Sequence, residues 1–393
     1  MVDILVFSHS CLRRVNRLVY EEISAKYGFV ISIVAPEYFL SGGSKILADE
    51  REPKDTVTLI KRPLKGNNPR SYRFEGTRDI IKKYKPKLVL IDADPASLQA
   101  LQIAWIQVMN KYKIVALTCE NQSLNLIDNY KRRGSLGLLL TVPKHLFLLI
   151  TKSRINHLFT INDLGYTIYL NLNFQSVSKI PLGFAPEVFR EDLGVRNEIR
   201  TKYKINDKIV FAYIGRIVKE KGIHILLNSL GQIKEFSDWV LLLDEFSDAE
   251  NTYSAEINIL IKELGLESRI VFFNAPHAEI FKYMNAADAI IIPSISTSSW
   301  IEQYGRVAPE ALACGKLIIA SKTGALPELI QDTGILVEEG NIIALRNILK
   351  QCVTKELTLS NYRDAAINRS NALTIGEQAK QMSKIFTELI FEK

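Results

Sequence analysis

Two short stretches of the chain hold residue types whose spacing could do chemistry. The first is Gly215-Arg216-Ile-Val-Lys219-Glu220-Lys221-Gly222, which follows the β-branched run Ile209–Ile214 and precedes residues with helical spacing. Gly215 permits a tight turn. Arg216 and Lys221 flank a helix start, where unpaired backbone N–H groups already favour an anion. A guanidinium grips phosphate oxygens in pairs, and an ammonium adds a point charge. This arrangement could hold a diphosphate without a metal ion. Two solvated basic residues on a loop would look the same by spacing alone.

The second stretch runs from Trp300 through Glu302, Tyr304, Gly305, Arg306, Val307, Pro309 and Glu310 to Gly315. Its two carboxylates stand eight positions apart. Glu302 falls in a loop after the run Ala289–Ile292, and Glu310 in the helix that follows, with Gly315 as its stop. A carboxylate accepts hydrogen bonds on both oxygens and so suits sugar hydroxyls. The amides near Gly305–Val307 could meet a phosphate at the helix start. A solvated acidic helix start is the alternative reading.

Strand and helix patterns alternate along the chain. The first half offers strands at Asp3–Phe7, Val30–Ala35, Lys87–Asp92, Ile114–Thr118, Leu158–Ile161 and Val177–Ile180. The second offers Ile209–Ile214, Val240–Leu243, Arg269–Phe273, Ala289–Ile292, Leu317–Ala320 and Ile335–Val337. Helical spacing covers Arg13–Lys26, Ser97–Lys111, Gly222–Lys234 and Ala255–Leu264. Such alternation means parallel sheets covered on both faces. Twelve strands exceed one comfortable open sheet, so the expectation is α/β with two doubly wound domains, at 1–185 and 186–373. The linker is Pro181-Leu-Gly-Phe-Ala-Pro186. A final helix within 374–393 packs on either domain, the first being the one expected here.

The 393 residues are 47% hydrophobic and 24% charged, which excludes global disorder and any small stapled scaffold. Residues 1–185 hold 26 basic and 15 acidic side chains; residues 186–393 hold 24 and 28. A basic half attracts phosphates, anionic lipid headgroups or nucleic acid. Cys11, Cys119, Cys314 and Cys352 lie far apart and read as free thiols of a reducing compartment. The opening Met-Val-Asp-Ile-Leu-Val-Phe reads as a strand and not a signal peptide. The longest apolar run, Leu136–Ile150, is interrupted by Pro143, Lys144 and His145 and falls short of the ~18 residues of a spanning helix. The expectation is a cytosolic protein that touches the inner face of a membrane.

Together the two motif stretches resemble glycosyltransferase family 4, which has the GT-B fold of two facing Rossmann-like domains. The Gly-Arg-x-x-x-Glu-Lys-Gly run resembles its diphosphate site, and Glu302 and Glu310 its Glu-x7-Glu motif. Ile318–Glu328, Gly334–Val337, Ala286–Asp288 with Pro293-Ser294, and Pro181–Phe189 are similar to the family as well. The resemblance covers about 180–340. It implies that Arg216 and Lys221 neutralise the departing nucleoside diphosphate, that Glu310 binds the donor ribose, and that Glu302 binds the transferred sugar. Gly215, Tyr304, Gly305, Arg306 and Val307 would complete the donor site. It further implies transfer with retention of anomeric configuration and no obligatory metal or other cofactor. Fixed positive charge and helix dipoles can stabilise charge developing on a leaving group without a separate nucleophile.

The first half departs from the family pattern. Its first loop reads Ser8-His9-Ser10-Cys11 where many members place two glycines. Asp92-Ala-Asp94-Pro95 and Glu120-Asn121 stand near where many carry a histidine, and Asp244-Glu245-Phe246-Ser247 replaces a common Gly-Asp-Gly. His9, Ser10, Asp94 and Glu120 are therefore the acceptor-side candidates. Asp92 and Asp94 also spell the DxD of metal-dependent transferases, but in the half that lacks the diphosphate motif. Residues 61–87 hold ten basic side chains against two acids, and residues 131–154 combine six basic residues with leucine runs. That mixture suits a lipid headgroup layer; a buried helix with a solvated charged face is the alternative. Nucleic acid fits poorly, because stacking aromatics among these charges are sparse (Tyr72, Phe74, Tyr84) and no binding motif is present. The resulting expectation is a retaining glycosyltransferase moving a hexose from a nucleotide sugar to a glycan or lipid-linked hydroxyl, in cell-surface polysaccharide or glycoconjugate synthesis. The alternatives are a nucleotide-sugar epimerase or hydrolase of similar fold, and a non-catalytic nucleotide-sugar-binding subunit.

Overall fold

A computed structural model of the chain describes residues 2–41, 44–66, 70–245 and 252–392. The chain forms two compact units, Met1–Gly183 with Ile375–Lys393, and Phe184–Thr374.

The first unit is built on a seven-stranded sheet, all pairs parallel. Across the sheet the strands are Val177–Lys179, His157–Thr160, Lys113–Thr118, Leu88–Asp92, Ile4–Ser8, Ile31–Pro36 and Thr58–Arg62. Numbered along the chain, the order reads 3-2-1-4-5-6-7 from the Thr58–Arg62 edge. Every residue of Ile4–Ser8 and Ile31–Pro36 is buried, as expected where helices cover both faces. Thr58–Arg62 escapes the sequence patterns for a physical reason. It is an edge strand in which only Ile60 is buried, and it ends on two basic residues.

The second unit carries a six-stranded parallel sheet of order 3-2-1-4-5-6. Its strands in chain order are Ile209–Tyr213, Trp239–Asp244, Ile270–Phe273, Ala289–Ile292, Leu317–Ser321 and Ile335–Val337. Ala289–Ile292 is buried throughout, and each such isoleucine contributes about 2 kcal/mol by leaving water.

One helix expectation is corrected. Arg13–Lys26 is not one helix: 3-10 turns at Ser10–Leu12 and Arg14–Asn16 precede the helix Leu18–Tyr27. The arginines there are committed elsewhere. Arg14 bonds Asp55 (2.7 Å), and buried Arg17 donates to the carbonyls of Asp49 (3.0 Å) and Glu50 (3.1 Å). The apolar run that Pro143 interrupts is helical throughout. Ser135–Thr151 is one helix with the proline inside it.

The last helix, Ile375–Phe391, joins the first unit. It buries Ile375, Ala379, Met382 and Phe386, one stripe of a 3.6-residue repeat. Phe386 meets Phe29 edge-on (6.1 Å) and Phe159 (6.2 Å). Phe184 donates to the carbonyl of Leu373 (3.1 Å), so the two chain crossings run side by side.

Candidate functional site

In an open parallel sheet a crevice forms beyond the strand ends where the order reverses, because neighbouring connections leave to opposite faces. In the second unit that point lies between Ile209–Tyr213 and Ala289–Ile292. The loops leaving these strands are 215–222, the first motif stretch, and 293–306, whose end carries the start of the second.

Glycines bring the loops together. Gly215 has φ +139° and donates to the carboxylate of buried Asp244 (3.2 Å). Gly222 has φ +67°, and a Cβ there would lie 1.9 Å from the carbonyl oxygen of Pro293. Ile295 N–H donates to the carbonyl of Glu220 (2.8 Å). The backbone of Glu302 is gripped in turn: Ala325 N–H donates to its carbonyl (3.1 Å), and Gly324 would place a Cβ 1.8 Å from the same oxygen.

This backbone frame places Lys221 Nζ 2.5 Å from Glu302 Oε2. Ser294 Oγ donates to the same oxygen (2.9 Å). Glu302 is buried, Lys221 is half-buried, and the ammonium also lies 5.1 Å from the centre of the Trp300 ring. A cation set between a carboxylate and an aromatic face is held in position before any ligand arrives. Arg216 is exposed; among the described residues its guanidinium has no ion-pair partner. Its backbone carbonyl accepts from Tyr213 Oη (2.7 Å).

Glu310 sits in the short helix Val307–Ala313, whose residues from Ala308 onward are all buried. Its Oε1 lies 2.9 Å from His277 Nε2, and the His277 ring rests 5.4 Å from that of Phe189. Gly305 has φ +76° and lies against Leu326, where a Cβ would come within 2.8 Å. Tyr304 is buried, and Arg306 and Val307 are half-buried at the helix start. Thus Lys221, Glu302, Ser294 and Trp300 form one cluster, and Glu310, His277 and Phe189 another.

In the first unit the order reverses between Ile4–Ser8 and Leu88–Asp92. Ser8 and Ser10 hydroxyls both donate to Asp92 Oδ2 (2.6 Å each), and the His9 ring lies 5.2 Å from Tyr72. Asp94 turns to other partners. Tyr169 Oη donates to its Oδ1 (3.0 Å), as does Ala96 N–H (2.7 Å). The two carboxylates of the DxD triplet thus serve different neighbours, and no group of three or more His, Cys, Asp or Glu among the described residues is placed to hold a metal. Glu120 Oε2 takes Arg70 Nη2 at 2.5 Å, with Lys144 Nζ at 3.8 Å. Burial, then the Glu120 charge, pushes the Asp94 carboxyl up to about 6. Burial alone would raise Glu120 too, but Arg70 and Lys144 hold it below its ordinary value.

Sequence reasoning does not single out His277, Arg70, Lys144 or Tyr169. Each lies tens of residues from its partner, so no local spacing marks it. Much of the basic stretch 61–87 is paired: Lys61 with Glu50, Lys65 with Glu75, Arg70 with Glu120 and Lys87 with Asp3. Tyr72 and Phe74 are buried, so neither presents a stacking face. Phe246 and Ser247 lie outside the described residues.

Residues 195–370 match the family described as Glycosyl transferases group 1. D-inositol 3-phosphate glycosyltransferase of Segniliparus rotundus is 31% identical over 177 residues, 44% of this chain and 38% of that protein. Lipopolysaccharide 1,2-N-acetylglucosaminetransferase of Salmonella typhimurium is 28% identical over 164 residues, 40% of this chain and 41% of that protein. The matched part thus spans about two fifths of these relatives' length. A glycosyltransferase of Rickettsia africae superposes with a TM-score of 0.74 at 17% identity, over 100% of this chain and 99% of that one. Anabaena HepE, solved with UDP, gives 0.74 at 17% identity, over 98% of this chain and 100% of that one. These likenesses establish the fold, two Rossmann-like units of the GT-B class.

Proposed function

Residues 195–370 match the group 1 glycosyl transferases, and from that likeness we propose that the protein moves a sugar from a nucleoside-diphosphate donor to an acceptor hydroxyl with retention of configuration. The observation that carries this reading is the 2.5 Å contact of Lys221 with Glu302, which joins the two motif stretches across 81 positions. Arg216 and Lys221 take the diphosphate. The bond from the anomeric carbon to the phosphate oxygen breaks, the bond to the acceptor oxygen forms, and the acceptor proton goes to the diphosphate. Positive charge fixed before the reaction costs no reorganisation as the leaving group gains its charge. Glu302 binds the transferred hexose and Glu310 the ribose, with Gly215 and Tyr304–Val307 shaping the donor site. The reaction draws on no metal or other cofactor.

His9, Ser10, Asp94 and Glu120 serve the acceptor, a glycan or lipid-linked hydroxyl of cell-surface glycoconjugate synthesis. The basic amino-terminal unit meets an anionic membrane surface, on the cytoplasmic side, where such an acceptor is found. The likeness to HepE in complex with UDP makes UDP-sugars the first donors to test.

The test is a donor panel with mass-spectrometric product detection. Arg216→Gln and Lys221→Met should each lower transfer by roughly 10²-fold or more. Near-normal turnover in the double variant refutes the reading. Nucleoside diphosphate released at the same rate without acceptor would favour a hydrolase instead.

A further inference from the structure

The helix Ser135–Thr151 is amphipathic the wrong way round for a water-soluble surface. At 100° per residue, Gly137, Thr141, Leu148 and Thr151 fall on one side, and all four are buried. Lys144 falls on the same side and His145 borders it; both are half-buried, Lys144 Nζ reaching Glu120 (3.8 Å) and His145 Nε2 the carbonyl of Leu124 (2.8 Å). The opposite side holds Leu136, Leu139, Leu146, Leu149 and Ile150, all exposed, Leu139 by 71% and Leu149 by 75%. A helix on a globular surface turns its apolar stripe to the core; this one turns it outward.

The feature is concentrated. Of the 24 large apolar side chains exposed among the described residues, 10 lie between Leu126 and Ile150. The preceding helix, Leu126–Arg133, adds Ile127, and Gly137 packs so closely on it that a Cβ would lie 2.1 Å from the carbonyl of Asn129. The two helices are therefore closely packed and present one face.

Its charge is one-signed. No acid occurs between Asp128 and Asp163, whereas Lys131, Arg132 and Arg133 stand at one end of the long helix and Lys152 and Arg154 at the other. A two-fold copy would set these cations against themselves. Anionic headgroups complement them, while the leucines enter the acyl layer beneath. The helix has 17 residues, about 25 Å of rise, short of the ~30 Å hydrocarbon core, and no described helix is long and apolar enough to cross a membrane. It would lie in the plane of the surface.

We propose that the outward face of the helices Leu126–Arg133 and Ser135–Thr151 inserts into an anionic bilayer. This deepens the acceptor reading above and rests on it for its purpose. One helix gives its leucines to lipid and its Lys144 to the Glu120–Asp94 pair, so a lipid-borne acceptor reaches those carboxyl groups along the same element.

The test is co-sedimentation of the full chain with phosphatidylcholine vesicles, with and without phosphatidylglycerol, at low and high salt. Wild type should bind the anionic vesicles, more weakly in salt. The triple variant Leu139→Ser, Leu146→Ser, Leu149→Ser should lose partitioning by at least about a hundredfold, with its circular dichroism unchanged. Ile343→Ser, an exposed apolar residue of the other unit, should bind as wild type. In Leu149→Trp, indole fluorescence should shift blue on vesicles and be quenched by brominated acyl chains. Undiminished binding by the triple variant overturns the proposal, as does a wild type that stays in the supernatant. So does a wild-type dimer that the triple variant abolishes without any lipid binding. Vesicle binding without sugar transfer leaves this proposal standing and removes the transferase reading; transfer without vesicle binding does the reverse.

Discussion

Asp94 offers a quantitative test of the acceptor-side cluster. Its carboxyl is pushed from an ordinary 3.8 up to about 6, by burial first and the Glu120 charge second. The difference is about two units, and at 1.36 kcal/mol each the folded protein prefers the neutral acid by about 3 kcal/mol. A raised folded value means that this stabilisation is complete below pH 3.8 and is lost as pH rises through about 6. Glu120 works in the opposite sense. Its lowered value stabilises above the ordinary range, and that contribution fades in acid. Asp94→Asn keeps a neutral side chain at every pH, so the difference between variant and wild type reports the carboxyl pair that Asp94 forms with Glu120. Urea unfolding of both proteins, resolved for the amino-terminal unit, should show the variant gaining about 2 kcal/mol on wild type between pH 4 and pH 8. Parallel stability curves over that interval would mean that Asp94 ionises freely, and the buried carboxyl pair would have to be abandoned.

Two further substitutions probe the donor side. Gly222→Ala should weaken nucleoside-diphosphate binding at least about tenfold and destabilise by more than the ~1 kcal/mol of left-handed strain alone, because its Cβ would meet Pro293 at 1.9 Å. Gly28→Ala is the control, with φ +73° and nothing within 4 Å; equal effects at both sites in calorimetry would deny the loop contact. His277→Ala should weaken nucleotide binding about fivefold, the value of one hydrogen bond of ~1 kcal/mol, and His277→Gln should restore most of it. Titration calorimetry that found no loss with alanine, or no rescue with glutamine, would mean that the His277 contact with Glu310 does not hold that carboxylate for the nucleotide.

Both sheets were legible in the residue order, because a strand of a parallel sheet is buried on both faces and writes itself as a near-continuous apolar run. Ala289–Ile292 and Leu88–Asp92 are such runs. The motif loops were legible for a similar reason: glycine at a left-handed φ and a basic residue at a helix start leave local marks. Thr58–Arg62 left none, since an edge strand with a single buried residue carries no run. The 3-10 turns before Leu18 were likewise invisible. Arg17 is bound to carbonyls more than thirty positions away.

What the order of residues determined by itself was the class of fold, the two glycine-gated loops and the charge surplus of the amino-terminal half. Only the tertiary structure decided which charges meet. Lys221 finds Glu302, His277 finds Glu310, and Arg70 finds Glu120, while Leu136, Leu139, Leu146 and Leu149 of Ser135–Thr151 stay exposed. Local propensity acts over a few residues, but a contact between side chains tens of positions apart exists only once the sheets have placed their loops.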